Sequence, residues 1–369
     1  MARPRRRLVV GVLILIGVLF CTTTLWLGWK WKRALDNIEA MRVSSVTLPT
    51  SPDRATSEDG PTGGQSRAAG EPSALAETPA PAELPAEPTP VPGPDAPINI
   101  LLMGTDARVG EDISRTDAMI LVHLDGRSNR VSMLSFPRDL WVSLPGYGKN
   151  KINAAYPTGE QQIGAGYGPA LAKETVGKLT GLSVQRFVLI NFDGFKTLID
   201  KLGGIYIDVP KALDDAAYPT DDYRTIKIHF DAGRQLLDGD RALIYARTRH
   251  ADSDFGRNQR QQQVLMAIFD RVREQGLLSQ LTNIDQYTES MSDYIRTDLS
   301  RSDMLSLASM GSKLSTESIQ RYAIDPSMVV ERHQPAYVLV LNDKKGLKQL
   351  VSQMLDPAVA SAGGETPSP

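Results

Sequence analysis

A chain of 369 residues with a formal net charge of −2 is long enough for a sizeable core and carries no global bias toward nucleic acid. One cysteine, Cys21, excludes an intrachain disulfide or a cysteine-based metal site. The four histidines, His123, His229, His250 and His333, are scattered without metal-ligand spacing.

Taken in chain order, the first predicted element is a membrane span. Residues 8–31, LVVGVLILIGVLFCTTTLWLGWKW, contain one charge, Lys30. As a helix this run reaches about 36 Å, enough to cross a bilayer core with some tilt. Trp26, Trp29 and Trp31 suit the headgroup region. Arg3, Arg5, Arg6 and Arg7 make residues 1–7 a basic tail and favour a cytoplasmic N-terminus, although Lys30, Lys32 and Arg33 weaken the asymmetry. No small-residue cleavage site follows, which favours an uncleaved anchor over a signal peptide. Residues 44–97 then hold twelve of the 24 prolines, a composition expected to form a disordered linker. Such a linker reaches roughly 170 Å when extended and about 40 Å as a coil, and would hold a domain away from the membrane. Residues 98–355 form the predicted extracytoplasmic domain, and 356–369 a disordered tail.

The domain opens with three apolar runs of strand length, INILLMG (98–104), AMILVHL (118–124) and RVSMLSF (130–136), the last two joined by the turn signal DGRSN. An antiparallel meander of these runs would bring Asp106, Arg108, Arg115, Asp117, Arg138 and Asp139 to one edge. The helix-like PALAKETVGKL (169–179), the strand RFVLINF (186–192), the helix GFKTLIDKL (194–202) with its Gly-Gly stop, and the strand IYIDVP (205–210) follow. Strands alternating with helices predict an α/β domain with a mixed central sheet flanked by helices. SIQRYAI, AYVLVLN and KGLKQLVSQML continue the pattern.

The stretch ARTRHADSDFGRNQRQQQ (246–263) collects four arginines and no lysine. Arginine presents a planar fork of donors matched to phosphate or carboxylate oxygens. Past Gly256 an apolar stripe, Val264, Leu265, Ile268, Phe269 and Val272, predicts a helix facing the core. Stepping the stripe backwards lands on Gln261 and Arg257, two polar residues on the inward face at a helix N-terminus, where an anion is favoured; Arg260 falls beside it. Arg247 and Arg249 share one face if 246–250 is extended. Arginines with a few carboxylates suggest phosphoryl chemistry, with Asp106 and Asp117 as candidate ligands of a hard cation such as Mg²⁺, or Mn²⁺ in its place. Asp254 is a candidate to orient or deprotonate an attacking hydroxyl. The blander alternatives are turn chemistry for Asp106 and Asp117, a salt bridge with Asp139 for Arg138, and solvation for Lys151.

LLMGTDAR, SRTDAMILV, SFPRDLWVSLPG, KINAAY, NFDGFKTLIDKLGGIYIDVP, LDGDRALIYARTRH and DFGRNQRQQQ occur in the order found in LytR-CpsA-Psr domains, and residues 98–275 resemble that family. The resemblance implies transfer of a glycopolymer (teichoic-acid-, capsule- or wall-polysaccharide-like) from a polyprenyl diphosphate carrier to a peptidoglycan acceptor outside the membrane, with Mg²⁺. It further implies that Asp106 and Asp117 bind the metal. Arg115, Arg138, Arg247, Arg249 and Arg257 would bind the diphosphate, with Lys151, Asp254 and Gln261 on further site positions. The lipid chain would occupy an apolar cavity between sheet and helices, which no local motif locates. HADSDFGR departs from the pattern in being shorter than in many members. Competing functions are a polyprenyl diphosphate hydrolase, a binding module without turnover, and a non-catalytic membrane sensor or attenuator of transcription. No helix-turn-helix pattern or basic patch supports contact with nucleic acid.

Overall fold

The computed structural model describes residues 30, 32–33, 36–48, 97–106, 114–220, 224–249, 252–276, 291–334 and 336–356, without the side chains of residues 305 and 317. The expected span lies outside these residues except for Lys30, as do residues 49–96, Arg108 and 357–369. Among the described residues no helix is long and apolar enough to cross a membrane.

The strands are β1 (Ile98–Thr105), β2 (Thr116–Asp125), β3 (Arg130–Ser135), β4 (Trp141–Leu144), β5 (Gly148–Lys151), β6 (Arg186–Asn191), β7 (Ile205–Val209), β8 (Leu213–Pro219), β9 (Thr225–Phe230), β10 (Gly233–Leu237), β11 (Ile295–Thr297), β12 (Ile319–Ala323), β13 (Val329–Arg332) and β14 (Val338–Leu341). The longer helices are α1 (Gly168–Thr180), α2 (Phe192–Lys201), α3 (Gly239–Arg247), α4 (Asp254–Glu274), α5 (Arg301–Gly311) and α6 (Lys344–Leu355).

Six strands form the central sheet in the order β11-β6-β1-β2-β3-β12. The meander expected from the three apolar runs is present: β1 pairs antiparallel with β2, and β2 with β3. β6 joins β1 in parallel and β12 joins β3 in parallel, so the sheet is mixed. The β2–β3 turn is set by Asp125, whose carboxylate accepts from Arg127 N–H at 3.1 Å and from Ser128 Oγ at 2.5 Å. Asn129 takes the left-handed conformation there (φ 48°), which asparagine tolerates better than most residues.

Alternation along the strands sends successive side chains to opposite faces. Leu101, Met103, Met119, Leu121 and Leu134 point into the main core, which Leu171, Val176, Leu347 and Val351 of α1 and α6 complete. Ile120, Val122, Val131 and Met133 point the other way and meet Met266 of α4. A further core beyond α4 joins Ile205, Ile207, Phe230, Tyr245 and Val264. The domain is therefore layered, with the sheet covered on both faces. The predicted Gly-Gly stop after α2 is real: Gly203 and Gly204 have φ of 68° and 85°, and a Cβ on Gly204 would press on Leu236 and the Leu237 carbonyl.

Ahead of β1, helical residues 36–41 lead to Arg42, which bridges Thr297 in parallel, and Val43 N–H donates to the Thr297 carbonyl at 2.9 Å. Met41 is buried, while Val43 and Leu48 pack against the main core.

Candidate active site

The charged residues gather where the ends of β1, β2 and β3 meet the N-terminus of α4. Gly104 pairs with Ala118 but Thr105 pairs with Thr116, so Asp117 is an extra residue in β2, a bulge. Bulges re-aim a side chain, and Asp117 here accepts from Arg138 Nη1 at 2.7 Å. Arg138 lies just beyond β3 and also approaches Asp139 (3.5 Å) and Asp254 (3.9 Å) through Nε. Burial acts to lower its pKa, but Asp117, Asp254 and Asp139 together raise it above the ordinary arginine value. Lys151, at the end of β5, donates to Asp139 Oδ1 at 2.6 Å. The neighbouring pair Arg138–Asp139 is therefore the looser contact, and Lys151 is bonded rather than merely solvated.

Ser253 caps α4, its Oγ accepting from Gly256 N–H. One turn in, Arg257 is 2% exposed and donates from Nη2 to Asp254 Oδ2 at 3.1 Å. Burial lowers its pKa, an effect that Asp254 offsets and that Arg138 and Arg249 reinforce. The Nε atoms of both Arg138 and Arg257 are buried without a hydrogen-bond partner. A buried cationic donor left unmatched costs stability unless another group accepts from it. Two such donors beside a helix N-terminus define a seat for an anion.

The remaining residues ring this pair. Arg247 ends α3, its guanidinium 4.3 Å from the Phe192 ring centroid, 3.8 Å from Asp106 Oδ2 and 3.3 Å from the Tyr218 hydroxyl. The expectation of an extended 246–250 is not met: helix α3 runs to Arg247, and Thr248 turns inward with Oγ1 donating to the Ile244 carbonyl at 2.9 Å. Arg249 is exposed, yet close enough to Arg257 to disfavour its charge. Gln261 Nε2 donates to the Ala246 carbonyl at 3.5 Å. Asp106 and Arg115 are exposed at the β1 and β2 ends, the Arg115 carbonyl accepting from Thr105 Oγ1 at 3.5 Å.

Arg260 has a different role from its neighbour. It is 6% exposed and ties the end of α3 to Asp252, bonding the carbonyls of Tyr245 (3.0 Å) and Thr248 and the Asp252 carboxylate (2.6 Å). On the far side of the site, burial first, and then the charges of Glu331, Asp254 and Asp139, push the Tyr337 phenol up to about 12, leaving it a proton donor.

An apolar cavity of about 260 Å³ opens from this cluster between the sheet and helices α2, α3 and α4. Asp117, Arg247 and Gln261 line its charged end; Val188, Phe195, Leu198, Leu265 and Ile268 are among the residues lining the rest. This is the feature that local motifs did not locate, because its walls come from seven separate elements.

Asp117, which lines the cavity, and Asp106, 3.8 Å from Arg247 of the cavity wall, are carboxylates of the kind suited to Mg²⁺, which takes one or two carboxylates and fills its octahedron with phosphate oxygens and water. Among the described residues no group of three His, Cys, Asp or Glu side chains is placed to cage a metal alone. Asp117 accepts from Arg138 through Oδ1.

The site is thus a pair of buried, unmatched guanidinium donors at the end of an apolar cavity. The chain belongs to the LytR_cpsA_psr family, whose model matches residues 71–355. It is similar to the polyisoprenyl-teichoic acid–peptidoglycan teichoic acid transferase TagU of Oceanobacillus iheyensis, 37% identical over 204 residues. That alignment covers 55% of this chain and 59% of the relative, so it spans less than two thirds of the relative's length. The fold resembles the crystal structure of Bacillus subtilis TagV (TM-score 0.58, 31% identity, 71% of this chain and 97% of that one). It also resembles TagT bound to LIIa-WTA (TM-score 0.55, 25% identity, covering 73% and 93%).

Proposed function

We propose that this protein is a phosphotransferase that moves a glycopolymer from a polyprenyl diphosphate carrier to a peptidoglycan hydroxyl. It would act outside the membrane, anchored by residues 8–31 with the N-terminus cytoplasmic. The single observation that carries this is the junction of cavity and charge: an apolar chamber ends at Asp117 and Arg247, beside the guanidiniums of Arg138 and Arg257, whose Nε donors are buried and unmatched. The named activity of TagU and the ligand named with TagT support the same chemistry.

In this mechanism the isoprenoid enters the cavity and its diphosphate lies against Arg138 and Arg257, with Arg115, Arg247, Arg249, Lys151 and Gln261 around it. The acceptor hydroxyl oxygen bonds to the phosphorus nearer the glycan, and the bond from that phosphorus to the bridging oxygen breaks. Polyprenyl phosphate leaves with the bonding electron pair, and the hydroxyl proton passes to Asp254. Arginines fixed at the site neutralise charge that develops on the equatorial and leaving oxygens, the main demand of phosphoryl transfer. Mg²⁺ held by Asp106 and Asp117 would add charge neutralisation on the diphosphate.

The test supplies the full chain in detergent with a polyprenyl diphosphate-linked saccharide, with and without a peptidoglycan oligosaccharide. Release of polyprenyl phosphate matched by a new phosphodiester on the acceptor is the expected result, absent in Arg257→Ala. Release with water as acceptor, unchanged by the oligosaccharide, would make the protein a hydrolase instead.

A further inference from the structure

The chain ahead of the domain is attached to it at its start. Arg42 and Val43 extend the sheet edge at Thr297, Met41 is 7% exposed, and Glu39 meets Arg301 at 3.3 Å. Val43 and Leu48 then pack on the main core, and Ile98 already belongs to β1. Both ends of the proline-rich stretch 49–96 therefore sit on the domain, and whatever its path, it adds no distance between Arg42 and the sheet. From residue 31 to Arg42 the chain spans about 40 Å when fully extended and about 16 Å when helical. A proline-rich spacer of this length would have allowed roughly 150 Å. The strand that receives Arg42, β11, is a sheet edge, and its Ile295 lines the apolar cavity.

We propose that the β11 edge of the domain is its membrane-facing surface, held against the lipid bilayer by residues 36–48, and that the proline-rich stretch is an excursion rather than a spacer. The cavity wall then lies on the side of the domain nearest the bilayer, where an isoprenoid has the shortest path between membrane and site. The proposal rests on residues 8–31 crossing the membrane, and the path of the isoprenoid rests on the proposed function.

The test uses the full chain with Cys21→Ser, inserted in phosphatidylglycerol–phosphatidylethanolamine vesicles that contain a headgroup-quencher lipid. One variant carries a fluorophore at Ser302→Cys beside β11; another carries it at Arg321→Cys on β12. Both positions are exposed, and the two strands lie at opposite edges of the sheet, five strand spacings or about 24 Å apart. Strong quenching at 302 with little at 321 is expected, and Met41→Asp with Val43→Asp should equalise the two. Equal quenching without those changes overturns the orientation. A chain that fails to float with the vesicles removes the membrane anchor and the proposal with it. Independently, Glu39→Cys and Arg301→Cys should join within one chain through a short bis-maleimide; failure to do so overturns the docking. None of these readouts involves turnover, so loss of the transferase function would leave them standing.

Discussion

Asp117 and Arg138, twenty-one residues apart, meet at 2.7 Å at the mouth of an apolar cavity. The carboxylate reaches its partner because β2 carries one residue more than β1 at that point. Removing the guanidinium in Arg138→Ala leaves Asp117, Asp139 and Asp254 without their shared cation and removes one unmatched donor. Turnover should fall by about 100-fold or more, the scale for losing one charge-stabilising donor. Arg138→Lys should recover only a small part of it, since an ammonium lacks the fork. Full recovery by lysine in a steady-state assay would reduce the role of Arg138 to charge alone.

Arg257 separates function from stability. Burial makes its charged form less favourable in the folded protein, and Arg138 stays 3.9 Å from Asp254 when the Arg257 guanidinium is removed, so an apolar side chain of similar volume offsets the lost ion pair. Arg257→Met should lower turnover by about 100-fold or more. Its melting midpoint should stay within about 4 °C of the parent or rise. A much larger drop in calorimetry would make Arg257 a structural residue.

Asp106→Asn and Asp117→Asn address the proposed metal. Each should weaken Mn²⁺ binding measured by electron paramagnetic resonance and shift the Mg²⁺ concentration for half-maximal turnover upward, by about tenfold or more. Unchanged Mn²⁺ spectra in both variants would remove the pair from the metal site.

Acid stability reports the contact between Asp252 and Arg260. Burial opposes ionisation of Asp252, but hydrogen bonds from Arg260 and from Ser253 N–H outweigh it, and its pKa lies below the ordinary 3.8. A depressed carboxylate contributes stability that is complete above 3.8 and is lost as pH falls through the lower folded value. Asp252→Asn should therefore cost about 1–3 kcal/mol at neutral pH. The difference from the parent should shrink toward zero in acid. A constant difference from neutral pH down to acid, in urea titrations, would contradict this.

Filling the cavity gives the last prediction. Val188→Trp places a large ring in the apolar chamber away from Asp117 and Arg247. Donors with a long isoprenoid should lose about tenfold or more in kcat/KM, whereas a short-chain donor should be spared. Equal losses for both would show that the chamber does not receive the lipid.

Much of this was visible in the amino-acid order. The apolar runs and the Asp-Gly turn specify the meander, and the stripe from Val264 to Phe269 places Arg257 inward. What escaped depends on partners distant in sequence. Arg257 and Arg260 lie three apart on one helix and both are buried, yet only Arg260 finds carbonyls at Tyr245 and Thr248. Periodicity cannot tell an arginine answered by the protein from one left for a ligand. Likewise, residues 44–48 read as the start of a linker, yet Leu48 packs on the main core.

The surplus residue in β2 uncouples two properties that usually vary together. Exchanging side chains along the ladder changes packing while Asp117 keeps its aim. Deleting one residue between Thr116 and Ile120 would instead shift the phase of the strand, return it to regular pairing, and turn the carboxylate off the cavity mouth. In this domain, a change in residue count at β2 is more damaging to the site than most changes in residue type.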